Sequence, residues 1–408
     1  MKRVVITGIG VVSVLGCGVE KVAESLRLGR SGIVLDEERK RLGFQSGLTG
    51  QIRDFSEKGI LPRRQRRSMP DYTVQAYVAV QEALEMAGLG ADDIANERTG
   101  LVFGNDSTAE ASVQAVDDMR KYRDSSMLSS GLIFQTMNSN VTMNLNVLLG
   151  TKGVSFTVSA ACSSGGQAVA WGADQIRLGR QDRVICGGAQ EINWKSMCSF
   201  DALGAFSQRE SEPTKASRPF DRGRDGLVPS GGAAAVILES YEEAQRRGAV
   251  ILGEVCGYGF SSDGYELTNP SSEGLSRAIR GALADAGWSA DDVDYICAHA
   301  TSTPQGDAAE GENIMRVFGE HPRCWISSTK SMTGHELWMS GAAQVVYSVL
   351  MARDGFVAPN INLEEPDEAL RGLRFARETV ETRVRRVLCN SAGFGGTNCA
   401  LLLEFGGV

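Results

Sequence analysis

Histidine is almost missing from this chain: there are three in 408 residues, beside ten prolines and 7% aromatics. Its nine cysteines are scattered, without C-x-x-C spacing or an evident pairing pattern. That scatter excludes a disulfide scaffold and a zinc-finger-like site, and a reducing cytoplasm is the expected compartment. No apolar run approaches the ~20 residues that span a bilayer, so no membrane segment is expected. The apolar start, MKRVVITGIGVV, is interrupted by Thr7, Gly8 and Gly10 and lacks a clear cleavage site, so it predicts a buried first strand rather than a leader.

An excess of positive charge is also lacking. The 42 basic and 50 acidic residues leave a net charge of -8, which argues against a protein whose main task is nucleic-acid binding. One basic run stands apart, with Arg63, Arg64, Arg66 and Arg67 in LPRRQRRSMP. It suits either a solvated loop or a dock for a small acidic partner. What the chain has in quantity is glycine, 48 residues, in a background of 42% hydrophobic and 23% charged positions. This is the composition of a globular protein with many tight turns and enough length for two domain-sized cores.

An internal repeat organises that length. EALEMAGLGADDI (Glu82 to Ile94) and GALADAGWSADDV (Gly281 to Val293) share seven of thirteen residues. Each predicts a helix stopped by glycine, Gly88 or Gly287, then Asp-Asp and a short apolar run. TGLVFGN matches VDYICAH in order, the loop after VSFTVSAAC matches the one after CWISSTK, and the paired strands DRVICGGAQE and AAAVILE match RRVLCNSAGFGG and CALLLEF. Two similar α/β halves, 1–245 and 246–408, are expected, with helices shared between them and a site at their junction.

The residues able to do chemistry lie on both sides of that junction. In VSAACSSGGQAVAWGADQI an apolar strand runs through small residues into Cys162 and then a helix. A helix N-terminus stabilises a thiolate, so Cys162 is a candidate nucleophile, against the alternative of a buried structural thiol. His299 in YICAHATSTPQGD and His335 in STKSMTGHELWMSG each follow a buried strand, whereas His321 falls in a surface turn. Two histidines so placed are candidate acid-base partners. Lys330 could bias their charge, Glu310 could balance it, and NSAGFGGTN sets Phe394 among glycines whose N–H groups can form an oxyanion hole.

Together these segments resemble the elongating beta-ketoacyl-acyl carrier protein synthases, types I and II, of the thiolase superfamily. The match runs over nearly the whole chain: RVVITGIGVVS, the Cys162 segment, RPFDRGRDGLVPSGGAA, HATSTPQGD, KSMTGH and GFGGTN stand in the family's order and spacing. Length and ATSTPQGDAAE lean toward type I. The resemblance implies a five-layered αβαβα thiolase fold, a homodimer, an acyl carrier protein as partner, and no cofactor or metal. It implies Cys162 as acyl acceptor, the Cys162 and Phe394 N–H groups as oxyanion hole, and Phe394 as gate. His299 and His335 would polarise a malonyl thioester, Lys330 would hold that region with Glu310 as its ionic neighbour, and Thr301 and Thr303 would bind pantetheine. The expected reaction is decarboxylative condensation in fatty-acid or related polyketide or polyene synthesis.

Three departures stand out. Ala392 replaces the first aromatic of the usual N-S-F-G-F-G-G; Glu336, Trp338 and Met339 replace small residues of G-H-S-L-G-A-A-G; and GNDSTAE (Gly104 to Glu110) is unusually polar. A ring lost at one place and an indole gained at another imply a reshaped channel with unusual acyl specificity, for a polyunsaturated or an aryl group. A non-catalytic, chain-length-factor-like partner subunit is the alternative, disfavoured by the retained Cys162, His299, Lys330 and His335. A thiolase would need a second catalytic cysteine, and Cys389 and Cys399 miss its slot. The resemblance also implies that the Asn- and Met-rich segment Phe134–Leu149 is contributed by the dimer mate to the pocket.

Overall fold

The computed structural model describes residues 1–406. Ten principal strands follow the chain as β1 (Val4–Ser13), β2 (Thr99–Gly104), β3 (Ser155–Val158), β4 (Arg183–Gln190), β5 (Gly232–Ser240), β6 (Gly253–Ser262), β7 (Tyr295–Cys297), β8 (Trp325–Ser327), β9 (Arg386–Gly393) and β10 (Thr397–Glu404). β1, β4 and β5 are buried at every residue, as their mainly apolar and small-residue sequences require of strands covered on both faces, and the charges of Arg183 and Glu239 near the ends of β4 and β5 pair with each other.

The strand order is β3-β2-β4-β5-β1 in the first half and β8-β7-β9-β10-β6 in the second, so each half repeats one topology. In both, the last strand pairs antiparallel with the first and the fourth, and the remaining pairs are parallel. The two sheets touch edge to edge only at Val5–Glu254 and Ile6–Gly253, between β1 and β6. The duplication expected from the sequence is therefore a duplication of fold.

Five principal helices complete the layers: α1 (Asp71–Ala87), α2 (Ser164–Arg177), α3 (Gly274–Ala286), α4 (Pro304–Phe318) and α5 (Ser340–Asp354). α1 covers one outer face, α3 and α4 the other, and α2 with α5 lies between the sheets in the largest apolar core. α5 is buried from Ser340 through Met351, the signature of a helix surrounded by protein. The glycines that break the first apolar run now have a reason. A Cβ at Gly8 or Gly10 would lie 2.0 Å from the carbonyl oxygen of Ala83 or Ala79, where α1 rests on β1. The repeated helix stops also hold, with Gly88 and Gly287 left-handed at φ 65° and 68°. Among the described residues no helix is long and apolar enough to cross a membrane.

Candidate active site

The site forms where loops from both halves meet above the shared helices. After β3 the chain turns sharply through Ala161, a non-glycine residue at φ 47°, and enters α2 two residues beyond Cys162. Such a backbone has to be held in place. The Ala161 N–H donates to Asp106 Oδ2 at 2.7 Å, the Ala160 N–H donates to Ser164 Oγ at 2.8 Å, and Ser164 Oγ donates to the Ala161 carbonyl at 2.6 Å. Among the described residues the Cys162 N–H donates to no acceptor, so it remains free for a ligand oxygen. Burial pushes the Cys162 thiol up to about 12, outweighing the pull of the Lys330 ammonium. Burial thus works against the thiolate that the helix N-terminus and Lys330 favour.

His335 Nε2 stands 3.1 Å from Cys162 Sγ. The Leu337 backbone N–H, which can only donate, points at His335 Nδ1 at 3.3 Å. Neutral His335 therefore carries its proton on Nε2 and presents an N–H to whatever lies at the sulfur. His299 meets His335 edge to face, with ring centroids 5.2 Å apart, and its Nδ1 is buried without a protein partner among the described residues. Both rings are held well below the usual imidazole pKa, mainly by burial and then by Lys330. The environment therefore favours the neutral form of both rings, which can still donate and accept hydrogen bonds.

Lys330 is buried, and desolvation lowers its pKa while Cys297, Glu336, Glu310 and Cys162 oppose that fall. Lys330 and Glu310 favour each other's charged form, as expected of ionic neighbours, without a hydrogen bond between them. Glu310 accepts from the His299 N–H at 2.8 Å, the Ala300 N–H at 2.6 Å and Asn390 Nδ2 at 3.1 Å, so it braces the histidine loop directly. Three donors already occupy the carboxylate, which leaves Lys330 to act on the site through the field alone. The substituted Glu336 is buried as well, receives the Tyr347 hydroxyl, and is raised to about 7, chiefly by burial.

Cys162, His299 and His335 share a cavity of about 330 Å³ with Thr301, Thr303, Phe394 and Ala392. The two threonine hydroxyls lie 3.1 Å apart along one wall. Phe394 occupies the turn between β9 and β10 beside Gly395 and Gly396, at φ 75° and 73°, and stacks on Phe200 at 6.1 Å. Thr397 Oγ1 donates to the Ala160 carbonyl at 3.0 Å and so ties that turn to the Cys162 loop. Cys389 and Cys399 lie in the core and outside this cavity, as their sequence positions suggested.

Two groups that the sequence reading did not assign hold the site together. Asp106 pins the Cys162 turn; its signal was the unusual polarity of GNDSTAE. Asp307, in the quoted TPQGD segment, accepts from the backbone of Thr301 at 2.9 Å, Ser302 at 3.1 Å and Phe220 at 2.8 Å. It thereby fixes the threonine wall and anchors the Phe220 loop to it.

A two-sheet fold with cysteine contributed by one half and two histidines by the other defines a condensing enzyme of the thiolase type. The chain belongs to the beta-ketoacyl synthase family: that family's N-terminal domain matches residues 1–244 and its C-terminal domain residues 252–364. It is 40% identical to the 3-oxoacyl-[acyl-carrier-protein] synthase 1 of Haemophilus influenzae over 407 residues, covering 99% of each chain. Among solved structures it matches a beta-ketoacyl synthase from Burkholderia phymatum STM815 with TM-score 0.94 and 34% identity, over 100% of both chains. A ketosynthase solved in complex with its type II polyketide acyl-carrier protein matches with TM-score 0.89 and 30% identity, over 99% of this chain and 100% of the other.

Proposed function

We propose that the protein is a 3-oxoacyl-[acyl carrier protein] synthase with Cys162 as its nucleophile. The observation that carries this is the His335 Nε2–H held 3.1 Å from Sγ by the Leu337 N–H behind the ring. In the first step the Cys162 sulfur attacks an acyl-carrier thioester, its proton passes to the departing pantetheine thiolate, and the oxyanion is received by the N–H groups of Cys162 and Phe394. A malonyl thioester then occupies the cavity, with its pantetheine along Thr301 and Thr303. His299 and His335 donate to its thioester oxygen, carbon dioxide leaves, and the bonding electrons become an enolate. That carbon attacks the acyl-cysteine and expels the Cys162 thiolate, giving a 3-oxoacyl thioester. Neutral histidines suit this work, since they stabilise an enolate without needing to gain a proton.

The partner reading is an acyl carrier protein and a second copy of the chain, in the cytoplasm, with the halves dividing near 245. Arg66 pairs with Glu57 and Asp71, so Arg63, Arg64 and Arg67 are the arginines of the basic run without a carboxylate partner among the described residues. They are positioned to meet an acidic carrier. Exposed Phe134, Met137 and Val147, within the segment expected to meet the dimer mate, and the adjacent Ile133 support the homodimer. The test is intact-mass spectrometry with a panel of acyl-carrier thioesters. An acyl increment on wild type and none on Cys162→Ala is expected; no increment from any carrier would favour a non-catalytic partner subunit.

A further inference from the structure

Behind the lining of the catalytic cavity, against Cys162, packs a residue that the condensation itself does not use. Trp338 is 4% exposed and packs in one cluster with Cys162, Met197, Phe200, Phe206 and Leu337. Its indole Nε1–H donates across to the Ser107 carbonyl at 3.3 Å, so the ring bridges the loop after β2 and the loop carrying His335. It stands 6.2 Å from the Phe200 ring, which in turn stacks on Phe394.

The ring has little freedom to withdraw, because its backbone is trapped. A Cβ at Gly165 would lie 2.8 Å from the Trp338 carbonyl oxygen, and one at Gly188 would lie 2.9 Å from the same atom. Leu337, immediately before it, is held at φ 45°, a conformation that leucine adopts only when its surroundings impose it. The cavity containing Cys162 and both histidines is lined by Phe200, Leu227, Leu337 and Ala392, and Trp338 lies behind that lining.

We propose that Trp338 is the acyl-length selector of this enzyme: it fills the space beside Cys162 on the side of Ser107 and restricts the acyl group to a compact one. This rests on the condensing reading above and narrows it. Of the two substrate types expected from the sequence, the indole excludes a long polyunsaturated chain, which cannot fold out of its way, and retains an aryl or short aliphatic group. The Ser107 hydrogen bond fixes the indole between the loop after β2 and the loop carrying His335.

The experiment measures the rate of acyl transfer to Cys162 from acetyl, butyryl, benzoyl, decanoyl and conjugated decatrienoyl carriers, for wild type, Trp338→Gly and Trp338→Phe. Wild type should load the three compact groups at least tenfold faster than both ten-carbon groups. Trp338→Gly should raise the ten-carbon rates relative to butyryl at least tenfold, with Trp338→Phe between. A cooperative thermal unfolding transition in all three proteins establishes that the variants fold; where Trp338→Gly fails this check, Trp338→Leu replaces it. Ten-carbon groups loading on wild type as fast as butyryl, or an unchanged profile in the variants, overturns the selector. Loading by no carrier at all instead overturns the condensing reading, so the two failures are distinct.

Discussion

The two halves share a strand order yet differ in what their loops carry. After its second and third strands the first half presents Asp106, Ser107 and Cys162; the second half presents His299, Thr301, Lys330 and His335 at the corresponding places. The scaffold was duplicated, but the chemistry was divided. Cys162 is mounted at the N-terminal end of α2, in a strained turn pinned by the Asp106 carboxylate, and the His299 loop is braced in the same manner by Glu310. In the mechanism proposed above, one half holds the acyl group and the other polarises the group that attacks it.

That division predicts separable half-reactions, and separating them gives the largest effect. Cys162→Ala should abolish acyl loading yet still release carbon dioxide from malonyl carrier, because the histidine pair is intact. His335→Ala should show the reverse, with loading retained within about tenfold and decarboxylation down by roughly 10²–10³, the usual cost of losing one donor to a developing oxyanion. Loading by intact mass and carbon dioxide release, measured on the same preparations, check both. If both variants lost both activities equally, the halves would not divide the work.

A smaller effect sharpens the comparison within the first half. Asp106→Ala removes the acceptor of the Ala161 N–H and leaves a part-buried donor unpaired next to a strained residue. That costs about 1–3 kcal/mol, and acyl loading should fall by roughly tenfold while malonyl decarboxylation stays near wild type. Asp106→Asn keeps an acceptor oxygen and should lie in between. Equal losses in both half-reactions would mean that Asp106 supports the whole site and not the sulfur's turn.

Much of this was readable in the sequence because the signals were local. Cys162, His299 and His335 follow apolar strands in small-residue loops, and the repeat around Gly88 and Gly287 marks equivalent helix ends; the structure brings the three side chains into one cavity. What could not be read depended on partners far apart in the chain. Glu310 is the expected ionic neighbour of Lys330, but its lone pairs go to backbone N–H groups, which spacing does not reveal. The Cys162 pKa likewise follows from burial by segments as far off in the chain as Phe44 and Trp338. Trp338 was flagged as a misfit, and only its bond to Ser107 shows which side of the sulfur it closes.

The second half also carries a charge that the first lacks at its corresponding loop, and this yields the smallest effect. Glu336 sits next in sequence to His335, receives the Tyr347 hydroxyl, which also lies 3.1 Å from Ser13 Oγ, and faces Thr333 and Lys330. Its folded pKa of about 7 exceeds the unfolded value of about 4.3. A raised carboxyl contributes stability that is fully present below the unfolded pKa and is lost as pH rises through the folded one. The window is therefore about pH 4 to 7, and Asp307, also raised to about 7, acts in the same direction. Glu336→Gln keeps an acceptor for Tyr347 but cannot ionise. Its thermal midpoint relative to wild type should be higher at pH 8 than at pH 5, by roughly 2 °C, corresponding to about 1 kcal/mol. An identical difference at the two pH values would mean that Glu336 does not titrate there, and that Lys330 holds it ionised throughout.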